Sequence, residues 1–256
     1  GLPFNIAWER AALNDEDAWA QEYELKWLDE ASAWLAYDLI HAVEHEQAGH
    51  PQHYQKNPVY IGNDIARRND LWVAWVLEPI GDVLWTREVI VKKNISFAEQ
   101  DAIMDELFNR YWVVKLCMDQ TGMGEKPVED AKRRYGASRV EGVTFTSHSK
   151  LHLATVAKQA FEDLKVRIPF GDHALRTDLH SLKKINSATG APRFVADDSD
   201  GHADRAWACF LALYAAHNPS HPIAFQSTGR RVSAVTVQRT ATGFGSISQE
   251  QSLSDF

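Results

Sequence analysis

Val59-Tyr-Ile-Gly-Asn-Asp64-Ile-Ala-Arg-Arg-Asn-Asp70-Leu-Trp-Val-Ala-Trp-Val-Leu77 sets two apolar runs on either side of a short polar turn. Before the turn, Val59, Ile61 and Ile65 alternate with small or polar residues. After it, Trp72 to Leu77 is β-rich and almost wholly apolar, the composition of a buried central strand. The stretch reads as a β-hairpin, and Asp64 falls inside its first strand. A carboxylate buried there must be hydrogen-bonded, paired with a cation or bound to a metal, because desolvating it is costly. Asp70 would face it across the hairpin mouth. The alternative is that Asp64 ends the strand and, with Asn63, caps the turn. Other acids have to decide between the two.

Downstream, Gly81-Asp82 makes a turn and Val83 to Val91 a third strand, so three consecutive strands joined by short turns are expected to run antiparallel. Ser96 followed by Glu99 is a capping box opening a helix whose apolar face is Phe97, Ile103, Leu107 and Tyr111. Trp112 to Met118 is a further buried strand ending at Asp119. The order β-β-β-α-β places this fourth strand beside the first through a crossover, with their ends side by side. Gly122-Met-Gly124 with Pro127 then lets backbone come close to something at a helix start. It lacks the spacing of a P-loop, as does the rest of the chain. A fifth strand is expected over Arg139 to Phe145, helices over Ser147 to Leu164 and Asp172 to Lys184, and a hairpin over Ile185 to Val195. Last, Asp197-Asp-Ser-Asp200-Gly-His202-Ala-Asp204 opens a helix that is apolar almost all round. Asp200 can cap that helix, so Asp204 is surplus to capping. The fold class is α/β, a mixed central sheet flanked by helices.

The 256 residues divide into a helical segment (1–57), the α/β domain (58–218) and a C-terminal piece (219–256) with one short apolar run, Val232 to Val237, and a tail that reads as flexible. The first segment carries helices near 14–26 and 37–47. Gly1-Leu-Pro reads as a cut or processed start. No apolar run is long enough for a membrane span and no secretory pattern opens the chain, so a non-secreted protein with no membrane partner is expected. The two cysteines, Cys117 and Cys209, read as reduced core filler. A net charge of −8 argues against a strong nucleic-acid footprint, although basic clusters recur beside turns. His41-Ala-Val-Glu44-His45 fits the H-x-x-E-H pattern of inverted zinc peptidases, or exposed histidines on an amphipathic helix; with eleven histidines in the chain the pattern is weak.

One acid in a first strand, one ending a fourth and one opening a later helix form a ribonuclease-H-like arrangement. Ile61-Gly-Asn-Asp64 with Asp70, then Met118-Asp119-x-x-Gly122-x-Gly124-x-x-Pro127-Val128, then His202-Ala-Asp204-Arg-Ala-Trp207-Ala, resemble the nuclease domain of large terminase subunits of tailed bacteriophages, particularly the Mu-like type. The resemblance covers about 57–216, and Glu22 to Ile40 is similar to the segment that joins the motor ATPase to the nuclease there. It implies a metal-dependent endonuclease that cuts double-stranded viral DNA concatemers during genome packaging, in the cytoplasm of the infected host. It implies Asp64, Asp119 and Asp204 as metal-binding acids, Asp70 as an auxiliary one, and two Mg2+ or Mn2+ ions about 3.5–4 Å apart that drive in-line phosphodiester hydrolysis. Its partners would be DNA, an ATPase domain on the same full-length chain, a small terminase subunit and a portal. Arg67, Arg68 and Lys126 near the metals, and Lys183, Lys184 and Arg193 by the hairpin, are candidates for the DNA backbone; His202 could touch phosphate or water. Two other readings stay open: a resolvase- or transposase-type nuclease of the same superfamily, and a non-catalytic module docking a motor ATPase.

Overall fold

The computed structural model describes residues 33–65, 71–186, 192–196 and 203–217. The expectations for the helix near 14–26, for Arg67, Arg68, Asp70 and His202, and for the run 232–237 lie outside the described residues.

Helix α1 (Tyr37–Val43) and strand β1 (Glu44–His45) come first. β2 (Val59–Asp64), β3 (Leu71–Ile80) and β4 (Val83–Lys93) then form the antiparallel meander, with Gly62 opposite Trp75 and Trp75 opposite Val89. Helix α2 (Phe97–Arg110) crosses back to β5 (Val113–Asp119), which lies parallel to β2 with Asn63 aligned to Met118. After it come α3 (Glu125–Tyr135), β6 (Val140–Val143), α4 (Ser147–Glu162), β7 (Val166–Pro169) and α5 (His173–Ser181). A hairpin of β8 (Leu182–Asn186) and β9 (Pro192–Ala196) and helix α6 (Asp204–His217) follow. Among the described residues, seven strands make one mixed sheet in the order β1-β7-β4-β3-β2-β5-β6; β8 and β9 form a separate two-stranded sheet, and Lys183 of β8 is also bridged antiparallel to Ala33.

Side chains alternate across this sheet with the two-residue period of a strand. Tyr60, Val73, Trp75, Leu77 and Cys117 face a core completed by α1, α4, α5 and α6. Val59, Ile61, Trp72, Val76, Leu116 and Met118 face a second core under α2 and α3. The capping box at Ser96 is formed as expected, its hydroxyl accepting from the Glu99 N–H while the Glu99 carboxylate accepts from the Ser96 N–H. Phe97 departs from expectation and stays exposed: it is in line with Gln100 and Met104, which face the sheet, but is the first residue of the helix. Cys117 and Cys209 are free, buried thiols, and burial pushes the pKa of both up.

The helix expected over Ser147 to Leu164 ends at Glu162, and two others stop further short of what the sequence suggested. The one expected over 37–47 stops at Val43, since Glu44 and His45 pair with Ile168 and Pro169 at the sheet edge. The one expected through Lys184 stops at Ser181, because the ladder with Val195 and Phe194 takes Lys183 and Lys184 into β8. The described part of the first segment packs into the same body: Leu35, Ile40 and Val43 are in the core, and the Trp34 N–H donates to the Leu182 carbonyl. No helix among the described residues is long and apolar enough to cross a membrane.

Away from the acids, a buried ion pair locks the start of β2 to the meander. Glu78 accepts from Arg87 Nε at 2.5 Å and from the Gln55 and Asn57 N–H groups, and both charged side chains are shut off from water. Removing one partner strands the other. Arg87→Met is expected to lower the unfolding free energy by about 3–5 kcal/mol in urea denaturation, and a loss under about 1 kcal/mol would contradict this account of the pair.

Candidate metal centre

Asp64 and Asp119 end neighbouring parallel strands, each one residue beyond the aligned pair Asn63 and Met118. Both are buried, at 7% and 8% exposure, so neither is an ordinary solvated strand end. Period two puts Asp64 on the face of Tyr60 and Gly62, and Asp119 on the face of Cys117, which is the face that α6 covers. β2 ends at Asp64, and the turn that Asp64 and Asn63 were expected to cap lies outside the described residues; Asn63 itself is tied elsewhere. It lies within β2, fully buried, and its Nδ2 donates to the Val73 carbonyl across the meander at 2.9 Å.

Asp119 is oriented locally. Its Oδ1 accepts from the Thr121 N–H at 2.8 Å, the Asx-turn bond of an acid to the residue two places on. The Thr121 hydroxyl in turn accepts from the Phe145 N–H at 2.8 Å, tying the loop after β6 to the same end of the sheet. The backbone approach anticipated at Gly122-Met-Gly124 is real: a Cβ on Gly124 would stand 2.2 Å from the Asp119 carbonyl oxygen.

Asp204 reaches this end from the helix above. It opens α6, and its Oδ2 accepts from the Leu71 N–H at 2.8 Å, bridging the helix start to the first residue of β3. What seats the helix is Gly62. A Cβ there would lie 2.1 Å from the Ala208 carbonyl oxygen and 2.2 Å from the Ala212 nitrogen, so β2 and α6 touch backbone to backbone. The buried run Ala206 to Leu213 explains why this helix reads as apolar all round.

Three carboxylates therefore share one end and one face of the sheet, two of them on strands about 4.8 Å apart. Among the described residues no three His, Cys, Asp or Glu side chains are grouped closely enough to hold a metal ion, and Asp70 lies outside the described residues. The chemistry of the donor set fits a hard divalent cation: all-oxygen carboxylate ligands suit magnesium and manganese.

The basic candidates fall in two places. Lys126 opens α3, exposed and paired with Asp130 at 2.7 Å. Lys183 and Lys184 lie on β8 and Arg193 on β9, with Arg193 opposite Ile185. Sequence reasoning passed over Thr121 and Gly62 as positioning residues. The Asp119-x-Thr121 spacing carried a signal for the first; nothing local carried one for the second, whose partner is a helix more than 140 residues on.

The H-x-x-E-H stretch is built differently from a helical zinc motif. His41 lies on α1 and His45 on β1, with His45 edge-on to Trp85. Glu44 takes a two-pronged contact from Arg176 at 2.5 and 2.8 Å and one from His41 at 2.9 Å. Burial opposes the charge on Glu44, but the Arg176 and His41 bonds outweigh it and hold the carboxyl below its ordinary range. A lowered folded pKa gives stability that is present above the ordinary glutamate value of about 4.3 and lost as pH falls through the folded value. Arg176→Met should accordingly lose less stability than the parent chain between neutral pH and the acid limb in urea titrations; equal losses would contradict that role.

A family model described as the terminase RNaseH-like domain matches residues 61–216, more than half of the chain. None of the curated proteins matches. Among solved structures, the large terminase nuclease from thermophilic phage G20c, with bound magnesium, is 16% identical with a TM-score of 0.60, covering 72% of this chain and 97% of that one. The large terminase nuclease domain of Thermus phage P74-26 is 16% identical with a TM-score of 0.54, over 70% of this chain and 94% of that one. The HK97 bacteriophage large terminase is 13% identical with a TM-score of 0.55, and the match covers 72% of this chain but 43% of that one. At these identities the likeness is one of fold.

Proposed function

The chain belongs to the family of terminase RNaseH-like domains, and from that premise we propose that it is a divalent-metal-dependent endonuclease that cuts double-stranded viral DNA during genome packaging. The observation that carries this reading is the pair of buried carboxylates, Asp64 and Asp119, ending adjacent parallel strands on the face where α6 brings in Asp204. Asp64, Asp119 and Asp204 would hold Mg2+ or Mn2+, with Asp70 as an auxiliary ligand. Two bound ions would supply a water activated for in-line attack and a stabilised leaving oxygen.

The chain's own residues supply orientation. The Thr121 N–H fixes the Asp119 carboxylate, and the Leu71 N–H fixes that of Asp204. Both carboxylates are thus turned before substrate arrives, which lowers the entropy cost of assembling the site. The N-terminus of α6 adds a partial positive charge that favours anionic groups at the same place. No side-chain nucleophile is called for. The rest of a large terminase, with a motor ATPase on the same polypeptide and with small-subunit and portal partners, would bring DNA to this module in the host cytoplasm.

The test is supercoiled plasmid incubated with the chain in Mn2+, in Mg2+ and in chelator. Nicking and linearisation that require the metal support the reading. Intact plasmid in every lane, from folded protein, would shift weight to a non-catalytic docking module.

A further inference from the structure

We infer that Lys150 and Arg193 form a phosphate-gripping subsite for the DNA strand beside the acids, an inference that rests on the nuclease reading above. A cleft of about 370 Å³ opens between α4, α6 and the β8–β9 hairpin, and Lys150, Arg193, Phe194, Ala203 and Trp207 line it. Its floor is aromatic: Trp207 lies 5.9 Å from Phe194 and 5.3 Å from Phe145, centroid to centroid. Lys150 Nζ sits 4.6 Å above the Trp207 ring and 5.1 Å from that of Phe145. Ring faces hold an ammonium by its charge, so the lysine head is kept at the cleft.

The placement of that cation gives the cleft its meaning. Trp207 is one helical turn past Asp204, and Ala203 of the cleft wall is the residue before it. Phe145, under the same lysine, donates its N–H to Thr121, which orients Asp119. Lys150 therefore touches both the loop tied to Thr121 and the helix that opens on Asp204. Arg193, exposed on β9, supplies a second cation from the hairpin side. Trp207 is 5% exposed, which leaves no ring face for a nucleobase to stack on. Two cations over a closed aromatic floor suit a negatively charged, sequence-neutral group, and the backbone phosphate of a strand leading to the metal site is that group.

The experiment uses the full chain carrying Asp119→Asn, so that DNA is bound but not cut, and measures the affinity for a short blunt duplex in Mg2+ across about 50 to 200 mM salt. Adding Lys150→Gln should reduce the slope of log K against log salt by about 0.9, the loss of one phosphate contact, and weaken duplexes of different sequence equally. Lys150→Arg should restore the slope. Lys56→Gln removes an exposed charge from the loop before β2, at the other end of the sheet, and should leave the slope unchanged. An unchanged slope in folded Lys150→Gln overturns the inference and leaves the lysine as a cover for the rings, with the nuclease reading intact as long as the parent chain cuts plasmid. A parent chain that neither binds duplex nor cuts plasmid removes both.

Discussion

Plasmid incubated with the Asp119→Asn chain and Mn2+ should remain supercoiled under conditions in which the parent chain linearises it, a loss on the order of 10³-fold or more. The size follows from the role. Withdrawing one carboxylate from the proposed metal site would forfeit several kcal/mol of transition-state stabilisation, at about 1.4 kcal/mol per tenfold. The fold should not suffer. Asparagine matches aspartate in shape and its Oδ1 can still accept from the Thr121 N–H, while relief of repulsion between like charges at one sheet end favours the metal-free variant. Asp64→Asn should behave alike. A variant that cuts at the parent rate would remove Asp119 from the metal site, whatever else the chain does.

Gly62→Ala should destabilise the chain and slow cleavage together. The new Cβ would press on the Ala208 carbonyl and the Ala212 nitrogen, which are backbone atoms with no rotamer to change, so α6 has to lift from β2. Overpacking of this kind costs about 1–3 kcal/mol and occasionally more, and here the upper end is expected because helix and strand both belong to the core. Asp204 rides on the displaced helix, and a misplacement of about 1 Å can cost on the order of 100-fold in rate. Urea denaturation and plasmid cleavage should therefore fall together. A Gly62→Ala chain of parental stability and rate would mean that the close approach of β2 and α6 does not seat the third acid.

These two residues also mark how far the sequence could be read. Asp119 was legible because a short-turn meander followed by a crossover leaves one place for the next strand, and because an acid ending an apolar run has to be explained. The capping box at Ser96 was legible because its bonds span three residues. Gly62 lies within a legible motif, yet its reason lies in Ala208 and Ala212, distant in sequence and small in a way that no local pattern signals. The same holds at the sheet edge. Glu44 and His45 continue a helical periodicity, and only the presence of β7 beside them turns them into a strand. Lys183 and Lys184 read as a helix end until β9 claims their backbone. Lys150 is not legible in the sequence, because a lone lysine in a helix carries no signal and the rings beneath it come from two other parts of the chain. Local bonding was readable in the sequence, while tertiary contact decided the rest.

Whether Asp64, Asp119 and Asp204 hold the metal, as proposed, can be seen in the crystal. Crystals of the chain soaked in Mn2+, with diffraction recorded near the manganese absorption edge, address it directly. Anomalous density is expected at the carboxylates of Asp64 and Asp119, at the end of β2 and β5, with Asp204 drawn toward it. Anomalous density elsewhere on a chain that cuts DNA, with none at these carboxylates, would contradict it.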